Sequence, residues 1–356
     1  MRRREFIARL GAAGACATVP RLAFAQQDPR VRRLATLLVG DENQNATATA
    51  LRATFRNELA RLGWVVGRNL QVDVRYSGGD PDRLRRNAAE LVGLAPDVIV
   101  LGGAGGAPAV RIVQQQTQTI PIVLAGGGDV FASGLVKNLA HPEGNITAVT
   151  AVYSSMTGKQ IELLKEAVPR VKRVAFIYNP ELSGLFYHPD EVEEASRALA
   201  VRTTGMPFRN AMDLVRGIDA FAAEPDGGLV IMSSATSNHW ATISTLTIQY
   251  RLPTIYASRA GIEGGLIFFG ARPTDILVRV ASFVDRILRG AKPGDLPIEY
   301  PRRFEIVVNL KTAKAIGVTI PRAFLVRADE VIEWDGGSSS RGLGNTAALA
   351  ADALRL

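Results

Sequence analysis

Any chemistry in this 356-residue chain has to come from a few polar side chains, because the usual reactive constellations are missing from its sequence. The histidines are His141, His188 and His239, and none falls in H-x-x-x-H or H-E-x-x-H spacing. With Cys16 as the single cysteine, no metal-ligand set is spelled out. No G-x-S-x-G elbow occurs, and the carboxylates form no diagnostic pair. The run Gly102-Gly103-Ala104-Gly105-Gly106 lacks the Lys-Ser/Thr of a Walker loop, and Pro108 stands where a dinucleotide fingerprint needs its last glycine. A tight turn and a small-ligand cradle both remain open for it. These residues predict no cofactor, no metal and no catalytic group.

The side chains suited to holding a ligand cluster in short segments after apolar runs. These are Gly40 to Asn43, Gly102 to Gly106, Gly126 to Asp129, Tyr178 to Pro180, Ser233 to Thr236, and Ser258-Arg259. Such loops offer backbone N–H groups at helix starts, which suits a carboxylate or another small anion. Arg259 follows Leu252 to Ala257. Its guanidinium could take a ligand carboxylate in bidentate fashion or close a surface salt bridge. His239 could reach a cleft or simply begin a surface helix. Tyr153, Tyr178, Tyr187 and Trp240 could stack a planar ligand or pack between lobes. Trp64 reads as a structural wedge at a helix-to-strand turn.

The elements that position these loops alternate. Strands are expected at Leu34 to Val39, Leu70 to Tyr76, Val98 to Leu101 and Ile122 to Ala125. Helices are expected at Ala46 to Leu62, Pro81 to Leu94, Ala107 to Gln116 and Phe131 to Leu139. The pattern restarts after the strand Thr147 to Val152. It continues with helix Lys159 to Ala167, strand Arg173 to Tyr178, helix Pro189 to Ala200, strand Gly228 to Met232 and helix Asn238 to Tyr250. Strands Thr254 to Ala257 and Leu266 to Phe269 follow, then an amphipathic helix Asp275 to Arg289. Such alternation implies parallel sheets covered by helices on both faces, in two halves of similar layout. In open parallel sheets, ligands bind outside the carboxyl ends of the strands, where the loops above fall.

Hydrophobic residues at 47% and charged residues at 21% exclude a disordered chain. The formal charge of +8 does not point to nucleic acid. Residues 1–25 carry Arg2, Arg3, Arg4, Arg9 and Arg21 against Glu5, half of that excess, and the rest is dispersed. The same segment has a basic start, an apolar run from Leu10 to Val19 and an Ala23-Phe24-Ala25 cleavage pattern. Its paired arginines resemble a twin-arginine signal, so export to the periplasm is expected. Lipid anchoring through Cys16 is the lesser alternative, since Ala13-Gly14-Ala15 is a poor lipobox. Cleavage after Ala25 leaves no cysteine and no thiol chemistry. The Gly/Ser-rich stretch Gly336 to Gly344 reads as linker, with 336–356 a flexible tail.

Several segments resemble the substrate-binding proteins of bacterial ABC transporters, the group that includes tryptophan- and tyrosine-type binding proteins. They are Phe55 to Asn69 (FRNELARLGWVVGRN), Pro121 to Thr147 (PIVLAGGGDVFASGLVKNLAHPEGNIT), Leu163 to Pro180 (LLKEAVPRVKRVAFIYNP) and, most specifically, Phe283 to Glu333 with DRILRGAKPGDLPIEYP and FEIVVNLKTAKAIGVTIP. The resemblance covers nearly all of residues 30–333. It implies an α/β, type I periplasmic-binding-protein fold: two doubly wound parallel-sheet lobes joined by a three-stranded hinge. Lobe I would comprise 30–150 plus about 273–300, and lobe II 151–272 plus about 301–333. Crossings are expected near Ala151-Val152, Ala271 to Pro273 and Pro297 to Arg302.

Matched loop by loop, the resemblance implies ligand contacts at Asp41, Asn43, Gly103, Ala104, Gly128, Asp129, Tyr153, Asn179, Ser233, Ser234 and Arg259. The implied cargo is a small carboxylate-bearing molecule, an amino acid or aromatic acid, handed by a monomer to a membrane permease. The sequence departs from the commoner pattern around Phe186 to Phe208 and at Asn238-His239-Trp240, so the ligand's identity is not inherited. Two rivals make different predictions. A two-lobed α/β enzyme would turn its ligand over. An exported sensor would dock on a signalling partner instead of a permease.

Overall fold

Uninterrupted apolar runs become strands buried on both faces, and their alternate residues feed two separate cores. The computed structural model describes residues 30–40, 42, 46–103, 106–128, 130, 131, 133–151, 156–180, 189–232 and 239–333. The expected export signal and tail lie outside these.

The first sheet holds β1 (Arg32–Leu38), β2 (Leu70–Tyr76), β3 (Val98–Gly102), β4 (Ile122–Ala125) and β5 (Ile146–Val149), all parallel, in the order β2-β1-β3-β4-β5. Ala35, Leu37, Ile99, Leu101, Ile122 and Leu124 face helices α2 (Pro81–Gly93) and α3 (Gly106–Gln116). Leu34, Val98, Val100 and Val123 face the opposite way, toward α1 (Ala46–Arg61) and a helix from far along the chain. Odd and even positions of one strand thus belong to different cores.

The second sheet holds β6 (Arg173–Tyr178), β7 (Arg202–Pro207), β8 (Gly227–Ile231), β9 (Thr254–Tyr256), β10 (Ile267–Ala271), β11 (Phe304–Asn309) and β12 (Glu330–Ile332). Their order is β12-β11-β10-β9-β8-β6-β7, with only β10 and β11 antiparallel. Helices α4 (Met156–Ala167) and α5 (Pro189–Leu199) cover one face. The other carries α6 (Ala211–Ala222) and α7 (Trp240–Gln249). The parallel part, β7-β6-β8-β9-β10, repeats the winding β2-β1-β3-β4-β5 strand for strand. The two halves are alike in topology without any sequence repeat.

Helix α8 (Pro273–Leu288) follows β10, yet packs on the first sheet through Val280, Phe283, Val284 and Ile287. The chain therefore passes between the sheets three times. The first passage leaves β5 for α4. The second is the single residue Arg272, between β10 and α8. The third starts where Glu299 lies alongside β5, its N–H on the Ala148 carbonyl (2.9 Å) and its own carbonyl receiving the Thr150 N–H (2.8 Å), and ends at Phe304. Short helices α9 (Leu310–Ala315) and α10 (Arg322–Leu325) lead to β12. No described helix is long and apolar enough to cross a membrane.

Two local expectations fail for identifiable reasons. The helix expected over Phe131 to Leu139 is a string of turns. Gly134 takes φ +66°, and the Asn138 side chain accepts from the N–H groups of Ala140 (2.9 Å) and His141 (3.2 Å), closing an Asx turn. Conversely, β7 and α6 form where no element was expected. The edge strand β7 contains Gly205 and Pro207, which mask its alternation. Helix α6 starts at an Asn210 cap and buries Leu214, Ile218 and Phe221.

Candidate cleft at the strand ends

β5 and β10 both run into passages between the lobes, so each sheet turns its carboxyl edge toward the crossings. Each sheet also has a point where neighbouring strands are followed in opposite directions, β1/β3 in one and β6/β8 in the other. Those are the places where open α/β sheets leave a crevice.

In the first lobe the crevice wall is backbone. The Val39 N–H meets the Gly102 carbonyl (3.0 Å), and the Ser77 N–H meets that of Leu38 (2.9 Å). The buried Ser77 hydroxyl donates to the Val39 carbonyl at 2.9 Å. Gly103, at φ +91°, turns the chain out of β3 and is exposed. Gly126 and Gly127 both take φ +77° after β4. A Cβ on Gly127 would stand 3.4 Å from the Gly106 Cα, so the loops after β3 and β4 touch through glycine. Gly128 beside them is buried.

In the second lobe the packing behind the strand ends is aromatic. Phe208, 2% exposed, follows β7 and donates its N–H to the Tyr178 carbonyl at 3.0 Å. His239 meets the Phe208 ring edge-on, centroids 5.6 Å apart at 89°. Trp240 packs half-buried on the core that includes Phe208. Asn179, half-buried, follows β6. Phe208 closes the divergent stretch Phe186 to Phe208, and its signal in the sequence is its place at a strand end two residues before the Asn210 cap.

Arg259 opens the turn after β9 and is paired with two carboxylates. Its Nη1 donates to Glu305 Oε1 at 3.0 Å and its Nη2 to Glu330. Burial opposes the cation, but the carboxylates of Glu330 and Glu305 outweigh it and hold the guanidinium above its ordinary pKa. Glu305, 7% exposed, also accepts from Arg272 Nε at 3.2 Å. Of the expected contact residues, Gly103, Gly128 and Asn179 stand at strand ends of the two lobes, and Arg259 is engaged by acids. Asp41, Asn43, Ala104, Asp129, Tyr153, Ser233 and Ser234 lie outside the described residues. No described group of three or more His, Cys, Asp or Glu is placed to hold a metal ion.

A polar groove of about 570 Å³ lies at the amino ends of β6 and β7, rimmed by Lys172, Arg173, Arg197 and Arg202 with Glu224 and Asp226. Its charges serve the fold. Arg173 donates to the carbonyls of Glu224 (2.8 Å), Pro225 and Phe221 at the end of α6, and lies over the Phe221 ring. Cations there satisfy the orphan carbonyls of a helix end.

The family model for ABC transporter substrate binding proteins matches residues 45–332. A tyrosine-binding protein of Clostridioides difficile (strain R20291) is 22% identical over 263 residues, 74% of this chain and 75% of that protein. Among solved structures, a conserved domain protein from Vibrio cholerae O1 biovar El Tor is 25% identical, with a TM-score of 0.76 over 85% of this chain and 100% of that one. The ABC domain from Streptococcus pneumonia solved in complex with L-Trp is 21% identical, with a TM-score of 0.76 over 85% of this chain and 99% of its own. The architecture is the type I periplasmic-binding-protein fold: two α/β lobes joined by a three-stranded hinge.

Proposed function

We propose that this chain, which belongs to the ABC transporter substrate-binding protein family, is the extracytoplasmic receptor of an importer and captures a small carboxylate-bearing solute, an amino acid or aromatic acid, between its lobes. The observation that supports this most is topological. Both sheets turn their carboxyl edges toward the crossings, one with glycine backbone at its strand ends and the other with His239 and Trp240 set over the buried Phe208.

The walls suit different ends of one molecule. Backbone N–H groups in the loops of Gly103 and Gly128, with that of Ala104, suit a carboxylate, and the side chains of Asp41, Asn43 and Asp129 would suit an ammonium or amide. Asn179, Ser233, Ser234 and Tyr153 would hold polar groups from the other side, while His239 and Trp240, backed by the buried Phe208, would receive a ring. Relatives named for tyrosine and solved with L-Trp support a ring-bearing cargo. Capture needs pre-placed donors and a hinge, with no reacting group, so the chain acts without turnover. Residues 1–25 would direct export. The boundaries of the lobes would follow the three passages, and the closed monomer would present its cargo to a membrane permease.

A thermal-shift panel on the purified protein tests this, with tyrosine, tryptophan, aliphatic amino acids, aromatic acids, dicarboxylates, nucleosides and sugars as probes. A ligand at 100 times its Kd adds about 2.7 kcal/mol, which moves the midpoint by a few degrees in a chain of this size. One carboxylate class raising the midpoint, and recovered unchanged by chromatography, supports the reading. Consumption of the hit would replace it with an enzyme, and a response confined to sugars or nucleosides would remove the carboxylate.

A further inference from the structure

Ion pairs crowd the passages between the lobes, and they differ in what they join. Arg279 on α8 pairs with Glu299, which lies alongside β5; both ends belong to the first lobe. Arg259 pairs with Glu305 and Glu330, all in the second. Two pairs straddle the divide. Arg272 reaches Glu305 on β11 (3.2 Å), and Arg303, just before β11, reaches Asp275 in the first turn of α8 (2.7 Å).

Arg272 holds the most constrained position of the four. As the only residue between β10 and α8, it takes φ −66° and ψ 117°. Its carbonyl accepts the N–H groups of Asp275 (3.1 Å) and Ile276 (3.4 Å), which open α8 on the first lobe. Its guanidinium meanwhile grips Glu305 on the second. One residue thus has its main chain built into one lobe's helix and its side chain into the other lobe's sheet. Rotation about its own dihedrals, the shortest of the three passages, must move guanidinium against carboxylate. Glu305 is anchored by Arg259 and cannot follow, and as a buried carboxylate it loses one of two cations if Arg272 leaves.

We propose that the Arg272–Glu305 pair, seconded by Arg303–Asp275, is a latch across the hinge that sets the angle between the lobes before any ligand arrives. The idea rests on the reading of a two-lobed closing receptor for its purpose, but not for its test. The latch biases the population from which the ligand selects, so side chains remote from the cleft tune affinity.

Spin labels at Arg85→Cys and Arg216→Cys, one per lobe, in the full chain with Cys16→Ser, report the inter-lobe distance without any ligand. Arg272→Gln should broaden the distance distribution, raising the minor population about tenfold, equal to about 1.4 kcal/mol. Arg272→Lys should restore part of it. Arg279→Gln, which breaks a pair within one lobe, should leave the distribution as it was. A wild-type distribution in folded Arg272→Gln, or equal broadening by Arg279→Gln, overturns the latch. If Arg272→Gln melts below the measuring temperature, Arg303→Gln decides: broadening supports the latch and no change overturns it. A latch that fails leaves ligand capture intact, and a failed ligand panel leaves this measurement intact.

Discussion

Trp64 and Asp285 stand 221 positions apart and share a hydrogen bond of 2.8 Å, the indole N–H donating to the carboxylate. Arg289 completes the contact. Its Nε donates to the same Asp285 oxygen at 2.6 Å, its Nη2 donates to the Leu62 carbonyl, and its guanidinium lies 5.5 Å from the Trp64 ring centroid. The turn after α1 is thereby fastened to the end of α8, the helix that closes the first lobe after the chain has toured the second.

Asp285→Ala removes the acceptor from a buried indole N–H and from Arg289 together. We expect a loss of about 1–3 kcal/mol in urea unfolding, with the cleft unaffected, because an orphaned buried donor bears its full desolvation cost. A midpoint equal to that of the parent would show the contact to be ornamental.

Arg259→Ala separates an ion pair from a ligand contact. With Glu305 left to Arg272 alone, thermal stability should fall by about 1–3 kcal/mol, and a direct loss of carboxylate binding is not expected. Calorimetry showing a more than tenfold weaker ligand, with the melting midpoint unmoved, would return Arg259 to the cleft.

Gly127→Ala places a side chain at φ +77°, with its Cβ in contact with the Gly106 Cα at 3.4 Å. The left-handed conformation costs roughly 1–2 kcal/mol for a residue with a Cβ. That strain falls on the turn after β4, beside the start of α3, so affinity should drop about tenfold. Unchanged binding would place the ligand away from this wall.

Asp80 caps α2, accepting from the N–H groups of Asp82 (2.8 Å) and Arg83 (3.1 Å), and those bonds hold its carboxyl below the ordinary value. Its folded-state pKa is depressed, so its contribution is complete above the unfolded-chain value of about 4 and is lost as pH falls through the lower folded-state value. Asp80→Asn keeps a capping oxygen but cannot titrate. Melts between neutral pH and the carboxylate range should show a flatter acid limb, with little change at neutral pH. A parallel limb in both proteins would remove Asp80 from the acid response.

The strand cores were legible because burial on both faces writes itself as a continuous apolar run. Ile122 to Ala125 and Arg173 to Tyr178 have the bounds that their residues suggest. Legibility ended where one residue type serves two geometries. Phe131 to Leu139 has helical spacing, but Gly134 and Asn138 commit it to turns. Strand β7 is hidden by Gly205 and Pro207, and with it went Phe208 and the edge contact to His239. At Arg259 the loop could be read and the partner could not, since Glu305 lies 46 positions away on a strand set antiparallel to its neighbour. Loops are local facts of sequence; what their side chains touch is decided by the crossings.

The three passages also set an order in time. As the chain leaves the ribosome, β1 to β5 emerge with Leu34, Val98, Val100 and Val123 covered on one face by α1 alone, because the second helix on that face begins only at Pro273. The second sheet waits as well, since β11 begins at Phe304. The first half cannot finish until most of the second has been made, and the second finishes last. The nascent chain must hold apolar surface uncovered through most of its synthesis, and its long-range pairings place it among slow folders that cannot complete their packing until the last quarter arrives.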